Sequence, residues 1–349
     1  MPYDVGAMIP RDPRLRLSAV IMSLQLLGQT VLGFNVSIAQ IAVAILAGAL
    51  LDAAIAYRRE RALSWPTSGI LTGSGVALIL RVAGTRHGDW WSLDGAELFA
   101  AAAAIGILSK YLIRPRGRHV FNPSNLGLVL VLLFAGSHRV YPQYLWWGPM
   151  GPAVGLAWAV IIAGALWVLR PLRMWGMVAA FYLPFEAIVL VLAAQGSCFD
   201  AVWRADSVCG LNYWIGIAAS PEVAVFVLFM MSDPRTAPAF PVGRAAYGTV
   251  TALVAWPLLA WQPTEYGVKV AILAALTMSC ALVPYIEGIL EHYGPPRPRP
   301  VPRRTAPWQV LVAAALVIVV PLGVLSLGIN RDLIRSERGS ARGGGGLRQ

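Results

Sequence analysis

His119-Val120-Phe121-Asn122-Pro123-Ser124-Asn125-Leu126-Gly127 is the stretch that decides how this chain is read. It sets two side-chain amides and a proline between the basic run 110–118 and the apolar run 128–135. A plain apolar helix entering lipid has no need of such a start. Polar, broken helix ends are how membrane proteins offer backbone and amide groups to a ligand or ion within the bilayer. The reading is a polytopic membrane protein with a polar feature at its centre.

Composition agrees with that reading. The 349 residues are 57% hydrophobic and only 13% charged, with a mean hydropathy of +0.63, outside the range of soluble domains. A formal net charge of +11 would suggest nucleic acid in a soluble protein. Here the basic residues, 26 Arg plus Lys110 and Lys269, lie in short clusters between apolar runs without interleaved stacking aromatics. That pattern is topology, and it excludes a nucleic-acid role. The three cysteines form no CxxC, and His87, His119, His138 and His292 are not spaced as ligands, so no metal site is expected. No residue stands as a nucleophile beside a base, so no catalytic residue is assigned.

Eleven apolar runs follow one another, at about 17–34, 36–57, 68–83, 95–113, 122–135, 151–169, 175–194, 213–231, 245–261, 268–290 and 308–329. A helix needs about 20 residues to cross the hydrocarbon. The third and fifth runs are short and rich in Gly, Ser or Asn, which predicts tilted, broken or partly re-entrant segments shielded by their neighbours. Threaded alternately from an inside N-terminus, the inner segments hold eighteen basic residues and the outer loops four: Arg86, Arg139, Arg204 and Lys269. This predicts a multi-pass protein of the plasma or inner membrane with a cytoplasmic N-terminus. Arg11, Arg14 and Arg16 precede a first run without a small-residue cleavage site, so no cleavable signal is expected. The chain divides into a cytoplasmic segment 1–16, a ten-span core 17–290, a Pro/Arg-rich linker 291–307, an eleventh span 308–329 and a disordered tail 330–349.

Three polar stretches stand out beside the two candidate cysteines of one outer loop. Ser68, Gly69, Thr72 and Gly73 open the third run, where small residues and hydroxyls serve either tight helix packing or a ligand. Asn122, Pro123 and Asn125 open the fifth. Asp233 and Thr236, in Ser232-Asp233-Pro234-Arg235-Thr236, close the eighth, where Asp233 is read first as a cap. Glu186, within the seventh run, is the deepest carboxylate and the default pathway candidate, and Glu222 follows Ser220-Pro221 at the start of the eighth. Trp90-Trp91, Trp146-Trp147 and Trp203 read as interface anchors. Cys198 and Cys209 share an outer loop, where a disulfide and two free thiols are both open.

Together these stretches resemble the NqrB/RnfD family of membrane subunits of ion-pumping electron-transport complexes. The resemblance rests on Thr67-Ser68-Gly69-Ile70-Leu71-Thr72-Gly73, on Phe121-Asn122-Pro123-Ser124-Asn125-Leu126-Gly127, and on Met231-Ser232-Asp233-Pro234-Arg235-Thr236 leading to Gly243-Arg244 and Tyr247-Gly248. It covers roughly residues 64–290. It implies an all-α, ten-helix core of two inverted five-helix repeats, urea-transporter-like, plus the extra C-terminal helix, with other membrane redox subunits as partners. Two departures limit it. The family's flavin mononucleotide is esterified to a Thr in a long outer segment after the fifth span, whereas the loop 136–150 here contains no Thr. A second family motif, Ser-Gly-Ala-Thr, reads Ser220-Pro221-Glu222-Val223. A covalent flavin of the usual kind is therefore not expected, and a non-covalent flavin or quinone is the cofactor the resemblance leaves. The short loops also resemble the shortened relatives found with enediyne natural-product gene clusters. The leading expectation is a membrane electron-transfer subunit whose three polar stretches meet in one cavity, and the alternative is a small-molecule transporter or channel of the same fold.

Overall fold

The computed structural model describes residues 13–61, 65–114, 117–143, 152–202, 204–290 and 307–329. The segment before residue 13, Trp146, Trp147, Trp203, the linker 291–306 and the tail from 330 lie outside the described residues.

The first five helices are α1 (Pro13–Leu27, continued as a π-helix Gly28–Leu32), α2 (Ile38–Glu60), α3 (Thr67–Ile79), α4 (Ala96–Leu112) and α5 (Pro123–Ala135). After them come α6 (Pro152–Leu172), α7 (Trp175–Ala194), α8 (Gly210–Ala218), α9 (Pro221–Val225, continued as a π-helix Phe226–Met231), α10 (Pro241–Ala260), α11 (Glu265–Ile289) and α12 (Pro307–Ile329). Among the described residues seven helical segments are long and apolar enough to cross a membrane, while Thr67–Ile79 and Pro123–Ala135 are apolar but short. The chain is a multi-pass, predominantly helical membrane protein.

The two short helices are completed by strand. At about 1.5 Å per residue, a 13-residue helix covers only about 20 Å. Here α3 runs into β1 (Leu80–Val82), and α5 turns back through β2 (Val140–Pro142). The strands pair antiparallel, Leu80 opposite Pro142 and Val82 opposite Val140. Leu80 and Val140 are fully buried. Backbone groups that leave the helix are thus satisfied by each other and shielded by protein, as low-dielectric surroundings require. Residues 80–82, read in the sequence as the end of a helical run, and 140–142, read as outer loop, form this ribbon instead.

Packing follows small residues. Side chains added at Gly69 or Gly73 of α3 would collide with the α2 backbone at Gly48 and Ala44. One added at Gly127 of α5 would strike Ala102 of α4, and one at Gly248 of α10 would strike Met177 of α7. These close approaches fix α2 on α3, α4 on α5, and α7 on α10. In the sequence α11 reads as a span beginning near 268, yet its helix starts at Glu265 and is the most enclosed of the span candidates. Lys269, counted there among the outer-loop cations, is therefore inside the helix and only 9% exposed. The last helix, α12, leans on α11 and α5, with Gln262 Nε2 donating to Val324 O at 3.0 Å.

The two ends of the bundle differ in charge. One end gathers Lys110, Arg114, Arg118, Arg235 and Arg244, and Arg118 clamps it by donating to Arg235 O at 3.0 Å and Ala237 O at 2.8 Å and pairing with Glu287 at 3.4 Å. At the other end lies the loop between α7 and α8. There Cys198 and Cys209 form a disulfide across β3 (Cys198–Phe199) and β4 (Val208–Cys209), with Cα atoms 4.4 Å apart.

Candidate functional site

A cavity of about 100 Å³ opens where α1, α3, α6 and the starts and ends of α5 and the α9 π-helix meet. Its polar lining is Ser68 and Thr72 from α3, His119, Asn122 and Ser124 from the start of α5, and Ser232, Asp233 and Arg235 beyond the π-helix. The three polar stretches therefore converge. Leu71, Leu78, Val168 and Phe229 supply apolar walls. A cavity of this size holds several waters, at about 10–15 Å³ of probe volume each.

Each wall has a local cause. Asn122 is the N-cap of α5: its Oδ1 accepts from Asn125 N–H at 3.2 Å and from Ser124 Oγ at 2.9 Å, and Pro123 occupies the first helical turn, where its missing N–H is no loss. Its Nδ2 donates to Met230 O at 3.0 Å, so the same amide ties α5 to the π-helix. A π-helix breaks the normal ladder and redirects carbonyls, which is where such side-chain bonds are made. Asp233 organises the following turn by accepting from Arg235 N–H at 3.0 Å and Thr236 Oγ1 at 3.3 Å. On the α3 side, buried Asp52 of α2 accepts from Gly69 N–H at 3.0 Å, Lys110 Nζ at 2.8 Å and Tyr111 Oη at 2.7 Å. Asp52 caps α3 from a neighbouring helix.

The other candidates are placed as follows. Gly69 and Gly73 face α2, not the cavity. Asn125, 1% exposed, lies behind the wall and donates from Nδ2 to Leu273 O at 2.9 Å and Thr277 Oγ1 at 2.8 Å, joining α5 to α11. Thr236 is buried beside Asp233. Glu186 is half-buried on the flank of α7, near Trp214 of α8, and lines none of the described cavities. Glu222 lies in a separate buried cluster with Lys269 and Glu265. Asp52 and Lys269 do not stand out in the sequence, because a lone acid within an alanine-rich run and a lysine at a run's edge carry no local pattern.

Electrostatics at the mouth come from His119, whose imidazole is pushed down to about 4 by burial first and then by Arg235, Lys110, Arg114 and Arg118. It faces the cavity neutral, able to donate from one nitrogen and accept at the other. The hydroxyls of Ser68 and Thr72 and the carboxylate of Asp233 add donors and acceptors around apolar walls. This set fits a non-covalent flavin or quinone ring. The loop 136–150 contains no Thr to which a flavin could be esterified.

No known family model matches this chain. It is 26% identical over 156 residues, 42% of its length, to RnfD of Sodalis glossinidius (strain morsitans), a component of the ion-translocating oxidoreductase complex, and it spans 37% of that protein. The chain thus resembles RnfD as a helical membrane protein.

Proposed function

We propose that the chain is a membrane subunit of an RnfD-like electron-transfer assembly, and that the cavity between Ser68, Asn122 and Asp233 holds a non-covalent quinone or flavin ring. The observation that carries this reading is the convergence on one cavity of three separate polar stretches, each of which also carries the family resemblance. The likeness to RnfD, a component of an ion-translocating oxidoreductase, supports the same class. In this reading α1–α5 and α6–α11, with α8 and α9 together making one span, are the two inverted repeats, because α2 packs beside α4 as α7 does beside α10, and α4 on α5 as α10 does on α11. The arginine-rich end is cytoplasmic.

Such a ring supplies electron and proton uptake when bound. The chain's residues hold and orient it. Ser68 and Thr72 hydroxyls and His119 bond its polar edges, Leu71 and Phe229 cover its faces, and Asp233 keeps the closing turn in place. The test is co-purification of the full-length protein from its native membranes, followed by extraction and absorbance. A stoichiometric quinone or flavin is expected in the wild type, with affinity lowered about tenfold in T72V, the loss of one buried hydrogen bond. Absence of any such molecule, with no redox-active partner recovered, would overturn the reading.

A further inference from the structure

We propose that Glu222, Lys269 and Glu265 form a proton-transfer site linking the disulfide-bearing end of the bundle to the central cavity. The site goes beyond the electron-transfer reading and stands whether or not a redox ring binds near Asp233.

Lys269 Nζ lies 2.6 Å from Glu265 Oε1 on its own helix and 3.0 Å from Glu222 Oε1 on α9. The three side chains are 9%, 10% and 20% exposed. A triad of net charge −1 in a low-dielectric interior is costly unless further groups or water share it. Two small cavities adjoin it. One, of about 40 Å³, is lined by Gln143, Glu222 and Lys269 and shares Ile79, Val225 and Met230 with the central cavity. The other, of about 30 Å³, is lined by Phe199, Glu222, Glu265 and Lys269 beneath the disulfide loop. Both exceed the roughly 10–15 Å³ one water needs. Two buried polar atoms also lack a protein partner: Gln143 Nε2, on a side chain 2% exposed and lining the first cavity, and Glu265 Oε2. A donor and an acceptor left over on either side of the ion cluster are what a short water chain would satisfy.

The three cavities thus run in series, from Asp233 at one end to Phe199 at the other, with the triad between them. Other ionisable groups on the adjoining elements include Asp200, whose carbonyl accepts from Glu265 N–H at 2.9 Å, Tyr213, whose ring lies against Phe199, Tyr266, bonded to Leu132 O, and Arg81 stacked on Tyr141. None of them lines either small cavity. Because an ammonium already bridges the carboxylates, the mobile species is a proton. A proton from the outer water adds to Glu265. Lys269 passes one of its protons to Glu222 while taking the one on Glu265, and Glu222 releases its proton to water beside Gln143. The triad ends as it began, one proton having crossed. The side chains of Ile79, Val225 and Met230 are the remaining barrier to the central cavity.

The test uses full-length protein in liposomes holding an internal pH dye, with a potassium diffusion potential as driving force and tracer uptake of Na⁺ measured in parallel. M230A, which thins the barrier, is expected to raise proton flux about tenfold over the wild type without admitting Na⁺. Adding E222Q, which leaves Lys269 and Glu265 as a one-to-one pair, should return flux to that of protein-free liposomes, and Q143L should lower it. M230A flux no higher than protein-free liposomes, flux indifferent to E222Q, or Na⁺ uptake through M230A would each overturn the proposal.

Discussion

His119 shows how a single side chain reports the state of the cavity. Burial and the cations Arg235, Lys110, Arg114 and Arg118 push its pKa down to about 4, whereas in an unfolded chain it titrates near about 6.5. The unfolded chain then binds the extra proton between those values, so stability must fall as pH drops from about 6.5 to about 4 and level off below. Thermal unfolding of the detergent-solubilised protein across that range should show the slope, and H119Q should flatten it; an unchanged slope in H119Q would assign the effect elsewhere. Asn125 gives a second prediction at this scale. Its amide joins α5 to Leu273 O and Thr277, so N125L leaves those acceptors buried and is expected to lower stability by about 1–2 kcal/mol without altering the cavity lining. Denaturation midpoints measured beside ligand affinity would separate the two effects. Asn122 is readable from sequence as a helix cap because Asn-Pro at the head of an apolar run has a local mechanism. Its second bond, to Met230 O, is not readable, because it depends on a π-helix 108 residues away.

Elements explain why the third and fifth runs look too short. Each helix stops after 13 residues and hands over to one strand of a buried ribbon. Hydropathy counts residues, and Leu80-Arg81-Val82 is as compatible with a helix end as with a strand, so only the partner Val140-Tyr141-Pro142 decides it. The glycines of α3 are readable as either packing or ligand contacts; Gly69 and Gly73 pack against the α2 backbone, while Ser68 and Thr72, on another face, line the cavity. G73A is therefore expected to separate α2 from α3 and destabilise the fold by more than about 2 kcal/mol. A wild-type melting curve for G73A would contradict that packing. At the other end, the Cys198–Cys209 disulfide closes a loop with a sequence separation of 11, a constraint of about 3 kcal/mol in the chain-entropy account. Loss of the bond in C198S/C209S should lower the melting temperature of the full-length protein, and an unchanged value would show that the β3–β4 pairing suffices.

For the molecule as a whole, the greasy, many-helix character was legible because it depends on composition over twenty-residue windows, which packing does not alter. The internal ion cluster was not. Lys269 counts as a loop cation in any linear tally, and only the early start of α11 at Glu265 carries it inside, opposite Glu222. In the proposed account the same geometry separates two tasks along the chain of cavities, a redox-ring site near Asp233 and a proton-transfer site under the disulfide loop. The most direct test of the central cavity is photolabelling of the full-length protein in lipid with an azido-quinone, followed by peptide mapping. Label is expected in the segments containing Ser68–Thr72, His119–Ser124 and Phe229–Arg235 together, and excess unlabelled quinone should remove it. Label spread along the lipid-facing surface of α12, indifferent to competitor, would contradict the account.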